Sequence, residues 1–527
     1  MNIWLVSREY VGIAEAGGVK NVTTSLCESL ARRGHDVTVF LPCYGCTDLS
    51  HVHLNDVETD DSFARVLVRD SEEEVNFLSG TIGGVNIVFV QHDSFAQKRA
   101  VYTYTHQDEV ENPRHRQGEG HEDVNFLNVL FQKAVVEYAR KCSQDKIPQA
   151  IHCQDAATAM VPAFGSFAVK TDDELKMKLE KTKYFVTIHN AGPGYHHNFS
   201  SLKEACEFTN LPEDLLSLGL CNAYDTTFIE PFVIAGHFSK LTTVSPEYAR
   251  EILKGKTDTA GLSKKFVENK IPVVGITNGI DFSRYDPVDV NMSLLPFAYD
   301  PQKMDLAGKY KNRQWFIQKY TSKDTPVKNQ DIEQFGYFSS SIDDDDFLYI
   351  AYHGRVVHQK GIAVMCEAAE KLLSRNNNLR FVFAGQGVPE LEDAMKSLAV
   401  KFEGRVVYIK GYERTVARLS VAACDFSLHP SYFEPCGLED FIAQTFGTIP
   451  VAHATGGLKK ILDRKTGFLY SPNKPCKLER LLQKLIDQFN KKGRTVFEPM
   501  IQKASSYIHK NYSWDIVAME YEKLYLS

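Results

Sequence analysis

The 527-residue chain has no apolar run approaching the ~20 residues that cross a bilayer. It also has no block of lysine and arginine of the kind that marks a nucleic-acid face. Formal net charge is −7, so neither an anionic membrane nor a phosphate backbone is an expected partner. Low-complexity tracts and repeats of solenoid period are missing. Met1-Asn2-Ile3-Trp4-Leu5-Val6-Ser7 has no basic leader and reads as a first strand, not as a secretory signal. Eleven cysteines, an odd number, are scattered along the chain. That argues against a disulfide framework and for reduced thiols in a cytoplasm. Cys43-x-x-Cys46 has no second pair to complete a zinc site, so no metal is expected. The Asn-x-Ser/Thr matches at Asn21, Asn198, Asn291 and Asn511 carry no weight without a signal.

What is present is a globular composition, 43% hydrophobic and 24% charged, on a chain too long for one ordinary core. Strand-like segments at Asn2–Ser7, Asp36–Leu41, Val85–Val90, Ala150–Cys153, Tyr184–Ile188 and Lys240–Val244 alternate with helical ones. Among the latter, Gly17–Arg33 stops at Gly34. The rhythm restarts with Val273–Ile276, Phe347–Tyr352, Leu379–Ala384, Val406–Ile409, Asp425–His429 and Ile449–Ala452. Helices are expected between them at Ile362–Ser374, Val388–Phe402, Val416–Ala423 and Leu438–Phe446. The expected class is α/β: two Rossmann-like, doubly wound parallel sheets with ligands at the carboxyl ends of strands, in a cleft between the sheets. Residues 286–346 interrupt the second pattern, and Asp343-Asp344-Asp345-Asp346 reads as a solvated turn. From Tyr512-Ser513-Trp514-Asp515 onward the chain is helical, with Trp514, Tyr521 and Tyr525 suited to packing on a neighbouring domain.

Four junctions could carry chemistry. Glu15-Ala16-Gly17-Gly18-Val19-Lys20 joins a strand to a helix through paired glycines, which let backbone N–H groups approach an anion. His353-Gly354-Arg355-Val356-Val357-His358-Gln359-Lys360-Gly361 pairs a guanidinium fork with a point-charge ammonium, a combination suited to a diphosphate. His429-Pro430-Ser431-Tyr432-Phe433-Glu434-Pro435-Cys436-Gly437-Leu438 holds a carboxylate in a rigid loop, where it can accept from sugar hydroxyls. Ala454-Thr455-Gly456-Gly457-Leu458 is another strand–glycine–helix junction.

In these blocks the chain resembles the bacterial glycogen synthase and plant starch synthase family of retaining, GT-B-fold glucosyltransferases. "LARRGHDVTVFLPCYG", "IHCQDAATAMVPAF", "VTIHNAGPGY", "LTTVSPEYAREIL", "GITNGIDFSRYDP" and "GRVVHQKG" are similar to its signatures. "PSYFEPCGLEDFIAQTFGTIPVAHATGGLKKILD…TGFLY" is the most specific, and "YSWDIVAMEYEKLY" resembles its closing helix. The resemblance implies an N-terminal domain over 1–255, joined by a C-terminal helix at 510–527, and a donor domain over 256–509. It implies transfer of glucose from ADP-glucose, or another nucleotide sugar, to the non-reducing 4-hydroxyl of an α-1,4-glucan. No cofactor is implied, because the nucleotide sugar is a substrate. Arg355 and Lys360 would meet the leaving-group charge, and Glu434 would hold the glucose. His189 would face the reacting carbon and Asp155 would steady the sugar. Gly17, Gly18, Cys436, Gly437, Leu438, Thr455, Gly456 and Gly457 would line the donor.

The chain departs from the family pattern where His-Asp-Trp has become Gln154-Asp155-Ala156, where Tyr-Gln-Gly has become Ala191-Gly192-Pro193-Gly194-Tyr195, before Ala235-Gly236, where a sugar-contacting Asn has no clear counterpart, and at two acids. Glu15 stands where the family carries a lysine, with Lys20 five residues on, and Glu439 stands where it carries Thr or Ser. A carboxylate ~5 Å from a phosphate charge, at an effective dielectric of about 20, costs roughly 3 kcal/mol, or on the order of a hundredfold in affinity. Two alternatives therefore stay open: a regulatory or glucan-binding homologue with impaired catalysis, and a GT-B transferase with a different donor.

Overall fold

Asn2–Val6 and Ala150–Gln154 are buried along nearly their whole length, which requires cover on both faces of the sheet that holds them. In the computed structural model, which describes residues 1–55, 63–340 and 346–527, they are neighbours at the centre of a first sheet. Its order is Val273–Gly275, Lys240–Thr243, Lys183–Ile188, Ala150–Gln154, Asn2–Val6, Asp36–Pro42, Val85–Gln91, Ser71–Ile82 and His53–Leu54, with Phe63–Val68 also on Ser71–Ile82. Asn2–Val6 pairs in parallel with Asp36–Pro42 on one side and Ala150–Gln154 on the other. The strand order reverses there, and the carboxyl ends of these two strands flank the switch point where open α/β sheets bind ligands.

The second sheet runs Ile332–Phe338, Arg405–Gly411, Leu379–Gly385, Leu348–His353, Phe426–His429, Ile449–His453 and Phe468–Tyr470. Its order reverses between Leu348–His353 and Phe426–His429, which pair in parallel. The helices Ile362–Arg375, Pro389–Lys401, Arg414–Ala422 and Glu439–Thr445 follow its strands.

Three features differ from expectation. Val273–Gly275 pairs with Lys240–Thr243 and closes the first sheet instead of opening the second. Ser71–Ile82 and Phe63–Val68 form an antiparallel extension of the first sheet; their alternating charged and apolar residues belong to a sheet with one face in water. The 286–346 stretch, expected to interrupt the second pattern, contributes to it where described. It holds the helix Ala307–Tyr320 and the antiparallel edge strand Ile332–Phe338. The expected turn at Asp343-Asp344-Asp345-Asp346 lies outside the described residues except for Asp346, which is exposed.

The chain divides into two compact units, Met1–Asn278 with Trp514–Ser527, and Gly279–Ser513. The returning helix Trp514–Leu526 is tied into the first unit. His152, fully buried on its strand, bonds Tyr525 Oη through Nδ1 at 2.8 Å and Thr187 Oγ1 through Nε2 at 2.6 Å. At the helix surface Arg33 grips Glu522 at 2.5 and 2.9 Å, and Asp515 takes Ser29 Oγ at 3.0 Å and Arg32 at 2.9 Å.

Tyr525→Phe removes the partner of a buried imidazole nitrogen. The expected cost is about 1–3 kcal/mol, read as a lower denaturant midpoint with an unchanged m-value. A midpoint equal to wild type would contradict this role for the helix.

Candidate active site

In the second unit, Arg355 and Lys360 follow the strand Leu348–His353, and Glu434 follows Phe426–His429, so all three sit at the switch point. Gly361 makes this possible. Its φ is +68°, and a Cβ there would lie 2.0 Å from Pro430 O, so the loop carrying Lys360 can press against the loop carrying Glu434. Lys360 Nζ donates to Glu434 Oε2 at 2.7 Å, and Ser431 Oγ donates to the same oxygen at 3.0 Å. Gln359 Nε2 donates to Phe433 O at 3.1 Å, and Tyr432 N to Gln359 O at 2.8 Å. Among the described residues no hydrogen bond engages Glu434 Oε1, so that oxygen is available to an incoming hydroxyl. Arg355 is exposed.

The third and fourth junctions hold each other. Gly457 N donates to Glu434 O at 2.8 Å, and a Cβ on Gly457 would meet Cys436 O at 2.1 Å. Gly457 is therefore needed first for contact within the protein. Thr455 Oγ1 donates to Tyr432 O at 3.2 Å, while Lys460 Nζ donates to Gly437 O and Asp440 Oδ1, each at 2.9 Å. Gly456 and Gly437 adopt positive φ, +42° and +79°. Leu438 is half-buried and caps Glu439–Thr445 without a side-chain bond.

Glu439, the doubtful acid, faces cations. Burial raises its carboxyl, but Lys360 and a backbone N–H outweigh that and bring it down to about 2. Burial also works against the Lys360 charge, yet Glu434 and Glu439 hold that ammonium above the ordinary lysine range. His353 and His429, at the ends of the two central strands, are both pushed down by burial, His429 to about 3. Both histidines open junctions singled out in the sequence, which assigns no role to either. The only available signal was their position as last residues of apolar strands.

In the first unit the central feature is Glu9, fully buried just past the strand Asn2–Val6. Its Oε2 accepts from Ala16 N at 3.1 Å and Gly17 N at 2.6 Å, and Tyr102 Oη donates to its Oε1 at 2.6 Å. The amide of Gly17, expected to meet a donor phosphate, is thus already bonded to a carboxylate, and Gly18 alone of the pair is uncrowded. Arg8 beside it is buried against Tyr44 Oη at 2.6 Å and Asn128 Oδ1 at 3.2 Å, with its guanidinium 4.9 Å from the Tyr102 ring centroid. Glu15 is neutralised locally. Lys20 Nζ donates to its Oε2 at 2.5 Å and Gly12 N to its Oε1 at 2.7 Å.

Asp155 and His189 stand together at the ends of adjacent strands. Asp155 adopts φ +66° and accepts from His189 N at 3.2 Å. It does not cap the short turn Ala156–Thr158 that follows it. His189 Nε2 bonds Gln154 Oε1 at 2.8 Å, so with the proton on Nε2 the Nδ1 lone pair stays available. Burial pushes His189 down to about 4, which leaves it neutral near pH 7. Burial pushes Asp155 up to about 7 despite the N–H groups of His189 and Asn190. Among the described residues no three His, Cys, Asp or Glu side chains gather as metal ligands, and no helix is long and apolar enough to cross a membrane.

An aspartate whose folded value lies near 7, against ~3.9 in the unfolded chain, loses stability for the fold as pH rises between those values. Asp155→Asn is therefore expected to match wild type near pH 4 and to exceed it by a margin that grows up to pH 7, in urea midpoints across pH. A margin independent of pH would contradict the burial of this carboxyl. Gly457→Ala should displace the Cys436 loop and cost about 1–3 kcal/mol; a variant as stable as wild type would show that the loop gives way freely.

The starch synthase catalytic domain family model matches residues 2–266, and the glycosyl transferases group 1 model matches residues 337–496. A glycogen synthase of Thermodesulfovibrio yellowstonii is 29% identical over 539 aligned positions, covering 100% of this chain and 97% of that protein. A glycogen synthase of Anaeromyxobacter sp. is 28% identical, with 100% and 99% covered. The solved catalytic domain of starch synthase IV from Arabidopsis thaliana, bound to ADP and acarbose, has the same fold. Its TM-score is 0.77 at 24% identity, and the match covers 99% of this chain and 98% of that one. Matched by the first of these models over half its length, the chain belongs to the starch synthase catalytic domain family and is a hexosyltransferase of the glycogen and starch synthase type.

Proposed function

We propose that the protein moves glucose from ADP-glucose to the non-reducing 4-hydroxyl of an α-1,4-glucan with retention of configuration. The observation that carries the reading is the Lys360–Glu434 contact at 2.7 Å, beside exposed Arg355, at the switch point of the second sheet. Two cations there would meet a departing diphosphate, and a carboxylate with one open oxygen would hold the sugar. Arg355 offers its donor fork to the phosphates, and Lys360 places a fixed charge on the leaving group. Glu434 takes a glucose hydroxyl through Oε1 and so orients the ring. Thr455, Gly456 and the turn at Cys436-Gly437-Leu438 shape the wall around the donor. In the first unit, Asp155 and the neutral imidazole of His189 present polar groups suited to sugar hydroxyls. No cofactor enters the scheme.

The two acidic departures from the family pattern do not oppose this reading as strongly as their charges suggest. Glu15 is paired with Lys20 at 2.5 Å, and Glu439 is offset by Lys360. Glycogen synthases aligned over the whole chain support a glucan acceptor, and the plant starch synthase IV domain solved with ADP and acarbose favours ADP as the nucleotide.

The test is chain extension of glycogen or maltooligosaccharide by the purified protein with ADP-glucose or UDP-glucose. Extension is expected with ADP-glucose, and Arg355→Ala should lower kcat/KM by 100-fold or more, as loss of a transition-state charge partner does. Saturable glucan binding with no extension from either donor would overturn the reading in favour of a non-catalytic homologue.

A further inference from the structure

His189 leaves the strand Lys183–Ile188, which pairs in parallel with Ala150–Gln154. The carboxyl ends of the two strands are fastened to each other. Asp155 N donates to Thr187 O at 2.9 Å, and His189 N donates to Asp155 Oδ1 at 3.2 Å. Thr158 Oγ1 donates to Gln154 O at 2.8 Å and holds the backbone of Gln154 in place. Gln154, the last residue of its strand, is 2% exposed. Its side chain meets the imidazole, with His189 Nε2 bonded to Gln154 Oε1 at 2.8 Å. Gln154 Nε2 is buried and has no hydrogen-bond partner. Among the described residues no hydrogen bond engages His189 Nδ1, and His189 is only half-buried. The neighbouring imidazole, His152, has both nitrogens occupied, by Tyr525 and Thr187.

A neutral imidazole carries its proton on one nitrogen, and the partner of either nitrogen decides which. An amide oxygen accepts and cannot donate, so it keeps the proton on Nε2 and leaves a lone pair on Nδ1. An amide is also uncharged, so it does this without drawing a second proton onto the ring, as a carboxylate in its place would. Resting on the donor-site reading above, we propose that Gln154 is a positioning residue for glucosyl transfer: it fixes His189 in the Nε2–H form, so that Nδ1 accepts from a hydroxyl of the bound glucose. Gln154 acts through the imidazole and does not itself reach the substrate, because its own side chain is buried. The family carries a histidine, itself titratable, where Gln154 stands, so the assignment concerns this chain. With the amide turned end for end, Gln154 Nε2 would donate to the ring, the proton would sit on Nδ1, and His189 would meet the sugar as a donor.

Two measurements on the full-length protein test this. The first is the nitrogen-15 spectrum of histidine-labelled protein at pH 7, with His189 assigned by its loss in His189→Gln. Wild type is expected to show a pyrrole-type Nε2 and a pyridine-type Nδ1, and Gln154→Leu a mixture of both forms. The second is chain extension of glycogen with ADP-glucose. Gln154→Leu should lower kcat about tenfold or more, with KM for ADP-glucose little changed. Gln154→Glu keeps an acceptor at the same place but adds a charge that favours the imidazolium. Its kcat should be low at pH 6 and rise toward wild type with pH, as the ring loses its second proton. Asp155, pushed up to about 7 by burial, titrates in both proteins, so the ratio of the two profiles reads the ring. The opposite tautomer in wild type, an unchanged tautomer in Gln154→Leu, or a ratio that does not vary with pH would overturn the proposal and leave the donor site standing. If Gln154→Leu does not fold, the wild-type spectrum and the Gln154→Glu profile decide the matter. Failure of wild type to extend glycogen from either ADP-glucose or UDP-glucose would overturn the donor-site reading instead, and the role in transfer with it, whichever tautomer the spectrum shows.

Discussion

Lys360 and Glu434 lie 74 residues apart in sequence and meet at 2.7 Å. Each sits in a loop that begins at the end of a central strand, and the two loops press against each other. Gly361 lets one loop lie against Pro430, Gly457 lets a third lie against Cys436, and Ser431 supplies the second donor to the same carboxylate oxygen. A buried ion pair of this kind is weak evidence for stability, because desolvation offsets much of the attraction. Its value here is positional. It leaves Glu434 Oε1 open and fixes one ammonium at a stated place, with a second cation, Arg355, exposed beside it.

The first unit follows the same rule with other residues. The order of its sheet reverses beside Asn2–Val6, and the chain leaving that strand carries Arg8 and Glu9 into full burial. Glu9 then organises the glycine turn through the amides of Ala16 and Gly17 and fixes Tyr102 against it. Asp155, in a left-handed conformation, and His189, nearly neutral at physiological pH, stand at the ends of the next two strands. Both carry a cost in backbone strain or burial, as residues held for chemistry often do.

Much of this was legible in the sequence because the central strands are short apolar runs bounded by turn residues. The loop residues Arg355, Lys360 and Glu434 follow such runs directly. What was not legible depended on pairing. Val273–Gly275 reads as a strand, but no local property says which sheet it joins. Ser71–Ile82 begins with a run of glutamates and looks like loop until its alternation is matched to a partner. Ile332–Phe338 is an antiparallel edge strand hidden in a polar stretch. The charge of Glu439 looked prohibitive because its neighbours His353, His429 and Lys360 come together only through strand register. Gly17 illustrates the opposite error. Its amide was open on paper and is bonded to a carboxylate in the fold.

The claim on which everything else rests is that the donor diphosphate lies between Arg355 and Lys360, with the sugar against Glu434. A crystal structure of the full-length protein grown with ADP-glucose, or with ADP, tests it directly. The account predicts phosphate oxygens within hydrogen-bond distance of both side chains and, with the sugar nucleotide, a glucose hydroxyl on Glu434 Oε1. A diphosphate held elsewhere, with the Lys360–Glu434 pair untouched, would contradict it.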